Sequence, residues 1–346
     1  RFDASKTVSA SASEKTASRA ASKKPQGSIT MADGNKRPRV EGGGDGGGGG
    51  NSLSSYTYAT RYAVREMPKF EMPENGYPAA VARQLIDDER RLDSNPALNL
   101  ASFVTTWMEP EAEEIMRESF NVNAVDVMQY PSCTEIHNRC VSILADLFHA
   151  EGRNESAMGT ATIGSSEAIM LAGLSMKFKW KKRMQALGKD TSKPNLVMGY
   201  HVQVCWEKFC RYWEVEARFV DVESDPYTLE ADKALALVDE NTIGIAAILG
   251  STYTGAFDDV KVLNDKLAAL NASKGLDVRI HVDGASGAFV APFLYPDLQW
   301  DFRLPLVTSI NASGHKYGLV FPGVGWLVFR NAEAMSPELA FHTNYL

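Results

Sequence analysis

Cysteine is scarce here, with four in 346 residues. Cys133, Cys140, Cys205 and Cys210 make neither a metal-ligand spacing nor the framework of a disulfide-rich secreted domain. Cys133 and Cys140 stand at a spacing that suits one helix face, and the expectation for all four is buried free thiols in a reducing compartment. No apolar run reaches the roughly 18 residues that a membrane span needs. The polar opening of the chain has no apolar core of the signal-peptide kind. Positive charge is not in excess: 36 Lys and Arg stand against 43 Asp and Glu, a net charge of −7. That balance speaks against a nucleic-acid groove. No internal repeat is visible.

What is present is ordinary globular composition, 44% hydrophobic and 23% charged, enough for one large domain or two smaller ones. Residues 1–55 are the exception. Ser, Ala, Lys and Gly dominate, ending in Glu41, Gly42 and a glycine run to Gly50. A segment with so little apolar surface cannot offset its chain entropy, so it reads as a disordered tail. The chain opens on Arg1, and Met31 is an alternative start. Lys36-Arg37-Pro38-Arg39 has the look of a nuclear-import patch, although a basic patch in a solvated tail is the favoured reading.

From Tyr56 the composition becomes globular. Residues 56–110 read as an arm, punctuated by Pro68, Pro73 and Pro78, with a helix from Ala79 to Leu92 and a short buried run from Asn99 to Val104. Helices follow from Glu109 to Phe120 and from Thr134 to Ala150, the second with Ile136, Cys140, Ile143, Leu144 and Leu147 at helical spacing. Helices are then predicted at 165–187, 204–213, 229–238 and 260–270. Strands are predicted at 196–199, 217–222, 242–249, 278–282, 306–310 and 325–329. Such alternation argues for an α/β fold with a mostly parallel, buried sheet, whose ligands gather at the carboxyl ends of the strands.

Two strand ends carry the chemistry. His281-Val282-Asp283-Gly284-Ala285-Ser286-Gly287 ends one strand in an acid and small residues. Ser309 to Gly318 ends the next in Ser313-Gly314-His315-Lys316. An amine here can form a Schiff base with an aldehyde. An acid beside it can pair with a protonated pyridine nitrogen, so the two suit pyridoxal phosphate. Alone, Asp283 is equally a turn former and Lys316 a solvated loop residue. A third segment runs from Met158 to Ala168, where a glycine turn leads into Ser165 and Ser166 at the start of a long helix. Free N–H groups and the helix dipole make a phosphate seat. The plain alternative is N-capping by Ser165 with Glu167 in the first turn. Ser313 and His315 offer further donors to the same phosphate. Gln203, at a loop-to-helix junction, has a flat amide suited to stack on a cofactor ring, with Ala285 on the other face. A surface glutamine is the alternative there.

Taken together, Ser165 to Ala168, Val202 to Trp206, Thr252 to Gly255, His281 to Gly287 and Ser313 to Lys316 resemble the glutamate decarboxylases, in their plant and bacterial branch. Asp301 to Pro305, Leu98 to Phe103 and Thr106-Trp107 extend the likeness, which runs from about residue 57 to 346. It implies a large domain of the aspartate aminotransferase type (fold type I) over residues 111–346, with a mostly parallel seven-stranded sheet. Lys316 matches the family's catalytic lysine, and Asp283 the acid on the pyridine nitrogen. Ala285 matches the small residue under the ring. Ser165, Ser166, Ser313 and His315 match phosphate contacts, Gln203 the stacking residue and Thr252 a neighbour of the ring's phenolic oxygen. Ser102, where the bacterial enzymes carry Thr, matches the pocket for the substrate's distal carboxylate together with Phe103 and Asp126. That pocket is partly supplied across a dimer interface.

The resemblance also implies pyridoxal phosphate as cofactor, L-glutamate as substrate and 4-aminobutyrate and CO2 as products. It implies a cytoplasmic homo-oligomer built from dimers (a homodimer or a hexamer), with no metal, nucleic acid or membrane partner. The family adds a small C-terminal domain with an arginine for the substrate α-carboxylate. Neither has a counterpart in this chain, nor does the calmodulin-binding tail of plant members. The rivals are a decarboxylase for aspartate or an aromatic amino acid, a carbon–carbon lyase for a phosphorylated substrate, and a catalytically incomplete chain that pairs with an intact subunit. The aromatic branch stacks a histidine where this chain has Gln203. The lyase needs basic residues that the matched segments lack.

Overall fold

Strand alternation sorts the core onto the two faces of one sheet. In strand β2, Asn195–Gly199, and strand β4, Thr242–Ile248, Leu196, Met198, Ala246 and Ile248 point to one side. Their neighbours Val197, Ile245 and Ala247 point to the other. A period of two in strands buried on both faces gives two separate cores, and each must be covered by helices.

This computed structural model describes residues 70–73, 76–98, 104, 107–151, 157–222 and 226–341. The contacts divide the chain into two units, 1–85 and 86–346. Described residues of the first are a stretch without regular structure and the start of helix α1, Ala79–Arg90. The second holds α2, Pro110–Glu118, and α3, Pro131–Leu147, followed by the sheet. Its other strands are β1, Met158–Thr162, β3, Glu216–Val220, β5, Ile280–Asp283, β6, Val307–Ser313, and β7, Gly325–Phe329. Their order is β1-β7-β6-β5-β4-β2-β3. All neighbours from β6 to β3 are parallel, and β7 runs antiparallel to both β6 and β1. Six strands therefore end at one edge, as the α/β reading required.

Helices α4, Ser165–Ala186, and α5, Val204–Tyr212, cover one face with Ile169, Met176, Trp180, Trp206 and Phe209. The other face is covered by α3, α6, Ala231–Ala236, α7, Val260–Lys274, and α8, Ala291–Leu294, through Leu144, Ala234, Leu263, Leu267 and Ala291. Each fully buried large side chain contributes about 2–3 kcal/mol of transfer free energy. Buried Trp180 satisfies its N–H on the Glu240 carbonyl at 2.9 Å.

Three expectations are corrected. Strand β1 is not among the predicted strands, because Gly159, Thr160 and Thr162 carry little apolar signal. It is held instead by pairing with β7 along five residues. Gly159 is required there, since a Cβ would lie 2.6 Å from the Leu327 carbonyl oxygen. In α3 the buried face is Val141, Leu144 and Ala145, while Ile136 and Ile143 are 60% and 65% exposed. Val104, expected in a buried run, is exposed. The rest of that run, with Ser102 and Phe103, lies outside the described residues, as does the tail expected at 1–55.

Candidate active site

The carboxyl edge collects the ends of β1, β2, β4, β5 and β6, and each end carries a predicted residue or leads into one within four positions. Thr162 precedes Ser165, Gly199 precedes Gln203, and Ile248 precedes Thr252. Asp283 and Ser313 are the last residues of β5 and β6. Because β5 and β6 are in parallel register, Asp283 lies beside Asn311 and His281 beside Ser309.

Polar alternation on these two strands puts His281, Asp283, Ser309, Asn311 and Ser313 on one side, away from Val282, Ile310 and Ala312. That side faces α4 and α5. Asp283 is buried, and its carboxylate accepts three hydrogen bonds. Trp206 Nε1 donates to Oδ2 at 2.9 Å, Asn311 Nδ2 donates to Oδ1 at 2.9 Å and the Ala285 N–H donates to Oδ1 at 3.2 Å. Buried carboxylates are stable only when donors replace water in this way.

Lys316 follows β6 in a turn and is half-buried. It lines a narrow cavity with Gln203, Thr252, Asp283 and Ala285. The Cys205 thiol registers both charges of this cavity. Burial first and then Asp283 push it up to about 12, while Lys316 works in the opposite direction. Gln203 is the N-cap residue of α5 but its side chain makes no cap. Its amide nitrogen instead donates to the Thr252 hydroxyl, which fixes a wall of the cavity.

Ser165 is not the N-cap of α4. Gly164 is, at φ 156°, a backbone angle that suits glycine. Glu167 reaches back to accept from the Ile163 N–H at 2.8 Å. The Ser165 hydroxyl is therefore spared capping and lies 2.6 Å from the Ser313 hydroxyl. Gly325 of β7 presses on the same turn: a Cβ there would come within 2.3 Å of the Gly164 carbonyl carbon. His315 Nδ1 donates to the Val324 carbonyl at 3.0 Å, which leaves Nε2 as its remaining polar atom.

The fold thus brings Gln203, Thr252, Asp283, Ala285 and Lys316 around one cavity, and Ser165 against Ser313 at the first turn of α4. Ser166 is exposed in that first turn. Asp126 does not line the cavity, and its carboxylate accepts from the Gln129 N–H at 3.0 Å. Residues not singled out from the sequence also enter: Trp206, Asn311, His281, Ser309 and His201. The signal for three of them is the period-two polar pattern Ser309, Asn311, Ser313 in an apolar strand, with His281 and Asp283 matching it next door. His201 is buried and lines the cavity, with Nε2 3.0 Å from Asp258 and Nδ1 without a hydrogen-bond partner among the described residues. Among the described residues no cluster of His, Cys, Asp and Glu has the makings of a metal site.

Residues 73–346 match the model of the pyridoxal-dependent decarboxylase conserved domain. The chain is 58% identical over 291 residues to glutamate decarboxylase 5 of Arabidopsis thaliana, covering 84% of this chain and 59% of that protein. To the glutamate decarboxylase of Petunia hybrida it is 57% identical over 291 residues, covering 84% of this chain and 58% of the relative. The chain therefore spans about three-fifths of the length of these curated relatives. A solved glutamate decarboxylase from Lactobacillus brevis superposes with a TM-score of 0.79 at 47% identity, over 84% of this chain and 66% of that one.

The donor set fits pyridoxal phosphate on its own chemistry. An amine (Lys316), a buried acid (Asp283), a flat amide (Gln203) and a small residue (Ala285) meet at one cavity. Two hydroxyls at a helix N-terminus, Ser165 and Ser313, suit a phosphate.

Proposed function

The chain belongs to the pyridoxal-dependent decarboxylase family, and on that premise we propose that its parent protein removes the α-carboxylate of L-glutamate, releasing 4-aminobutyrate and CO2. The observation that carries this is the meeting of Lys316, Asp283, Gln203 and Thr252 at one cavity. It is supported by the identity with plant and bacterial glutamate decarboxylases.

In this reading Lys316 would hold the cofactor through its amine, and the same amine would hand a proton to the substrate's α-carbon. Asp283 keeps a proton on the pyridine nitrogen. Trp206 and Asn311 aim its two oxygens through the hydrogen bonds they donate. The bound cofactor supplies a sink for the electron pair that the departing carboxylate leaves behind. Ser165, Ser166, Ser313 and His315 hold the phosphate, aided by the dipole of the 22-residue helix α4. Gln203, fixed by Thr252, covers one face of the ring and Ala285 leaves room on the other. Ser102, Phe103 and Asp126 are proposed to receive the distal carboxylate, with a second subunit completing the pocket of a dimer-based, cytoplasmic enzyme. Among the described residues no helix is long and apolar enough to cross a membrane.

The test is release of labelled CO2 from carboxyl-labelled glutamate, alongside the visible-edge absorbance of the protein with pyridoxal phosphate. Lys316→Ala is expected to abolish both. A Lys316→Ala protein with an unchanged absorbance band disproves the assignment of Lys316. Intact protein that binds the cofactor yet releases CO2 only from another amino acid disproves the substrate.

A further inference from the structure

Behind Asp283 lies a buried relay. Asn311 Nδ2 donates to Asp283 Oδ1 at 2.9 Å. Asn311 Oδ1 lies 2.7 Å from His281 Nε2, and His281 Nδ1 lies 2.7 Å from the Ser309 hydroxyl. His281, Asn311 and Ser309 are all at most 1% exposed. Trp206, the other side-chain donor to Asp283, packs edge-on against the His281 ring, with centroids 5.3 Å apart.

With Asp283 as a carboxylate and His281 as a neutral ring, the hydrogen bonds fix the protons along this chain of contacts. A carboxylate only accepts, so the Asn311 amide must turn its NH2 to Asp283. Its oxygen then faces His281, so Nε2 must carry the proton. Nδ1 is left as the acceptor, and the Ser309 hydroxyl donates to it. Reversal of the amide would set its oxygen against the carboxylate and its NH2 against the N–H of His281. Two donors or two acceptors meeting in a buried site is costly.

We propose that His281, as its neutral Nε2–H tautomer, is a positioning residue for Asp283: it locks the Asn311 amide in the one orientation that donates to the acid. Ser309 in turn selects the tautomer. The inference rests on the reading of Asp283 as the cofactor acid, and it adds the residues that aim that acid. His281 does not line the cavity.

Two substitutions separate this role from simple packing. The amide nitrogen of a glutamine reaches about as far as Nε2, whereas that of an asparagine reaches only as far as Nδ1. His281→Gln restores the donor to Asn311, and His281→Asn does not. In the protein titrated with pyridoxal phosphate, His281→Gln is expected to bind within about threefold of wild type. His281→Asn is expected to bind about tenfold or more weakly, because a loosened Asn311 amide forfeits its hydrogen bond to the charged Asp283. Melting temperatures read the packing cost of each variant separately. Equal cofactor affinities for the two variants overturn the proposal.

A second measurement needs neither variant nor cofactor. Nitrogen NMR of histidine-labelled protein at neutral pH is expected to show His281 protonated at Nε2 alone. Protonation at Nδ1, or at both nitrogens, overturns the proposal. Should wild type fail to bind pyridoxal phosphate, it is the functional reading that falls, while the tautomer still decides the relay. Should His281→Asn fail to fold, a tenfold loss in His281→Gln overturns the proposal by itself.

Discussion

The hydroxyls of Ser165 and Ser313, separated by 148 residues in sequence, lie 2.6 Å apart where helix α4 begins and strand β6 ends. They share one hydrogen bond, so the pair keeps a donor for an anion arriving at the helix N-terminus. Either serine mutated to alanine removes a donor from a charge-assisted contact, worth about 1.5–3 kcal/mol. Ser165→Ala and Ser313→Ala are each expected to weaken pyridoxal phosphate binding by roughly tenfold or more. A fluorescence titration measures this, and affinities equal to wild type in both variants rule out the phosphate seat.

Gly325 supports the same turn from behind. A methyl group there meets backbone of Gly164 and Ser165, which has no side chain to swing aside. Gly325→Ala is expected to lower stability by about 1–3 kcal/mol, the cost of overpacking, and to weaken cofactor binding as the turn shifts. Urea unfolding and the cofactor titration are the two readouts. A stability loss without any change in affinity separates the turn from the site.

Burial holds the His281 imidazole below its ordinary range, against the raising effects of Asn311 and Asp283. In the unfolded chain the ring takes up a proton near pH 6.5, roughly. Between that pH and the lower folded value, the unfolded state binds more protons than the folded state. This share of stability is therefore fully present above about pH 6.5 and is lost as the pH falls. Urea unfolding across that range is expected to decline more steeply in wild type than in His281→Gln, whose side chain does not titrate. Parallel curves refute the assignment.

Cys205 and Cys210 have thiols pushed up to about 12, chiefly by burial, with Asp283 and Glu207 adding to the effect. Little thiolate forms at neutral pH, and the thiolate is the reactive form. Mass spectrometry after brief alkylation of native protein is expected to find label on Cys133 and Cys140, which are half-buried, before Cys205 or Cys210. Early label on Cys205 contradicts the buried α5 face.

Particular residues mark how far the sequence could be read. The helices from 165 and 204 and the strands from 242 and 325 start where periodicity and punctuation put them. Strand β1 escaped because its small residues carry no apolar pattern, and its existence depends on β7, about 165 residues later. The α3 stripe misled for a different reason. Ile136 and Ile143 share helical spacing with Leu144, but spacing cannot say which side of a helix the sheet lies on. The capping alternative for Ser165 was undecidable locally, since Gly164 and Ser165 are both plausible caps until the Ser313 contact is seen.

By itself the sequence determined the alternation of strands and helices, the edge at which ligands gather, and the residue types that suit one cofactor. Those follow from local rules of period, turn and charge, which act over a few residues at a time. The tertiary structure alone decided that Trp206 and Asn311 aim Asp283, that Ser165 meets Ser313, and that His281 is sealed behind them. Each is a pairing over 28 to 148 residues of chain. The register of the parallel strands and the docking of α4 and α5 set those distances, and no local pattern encodes them.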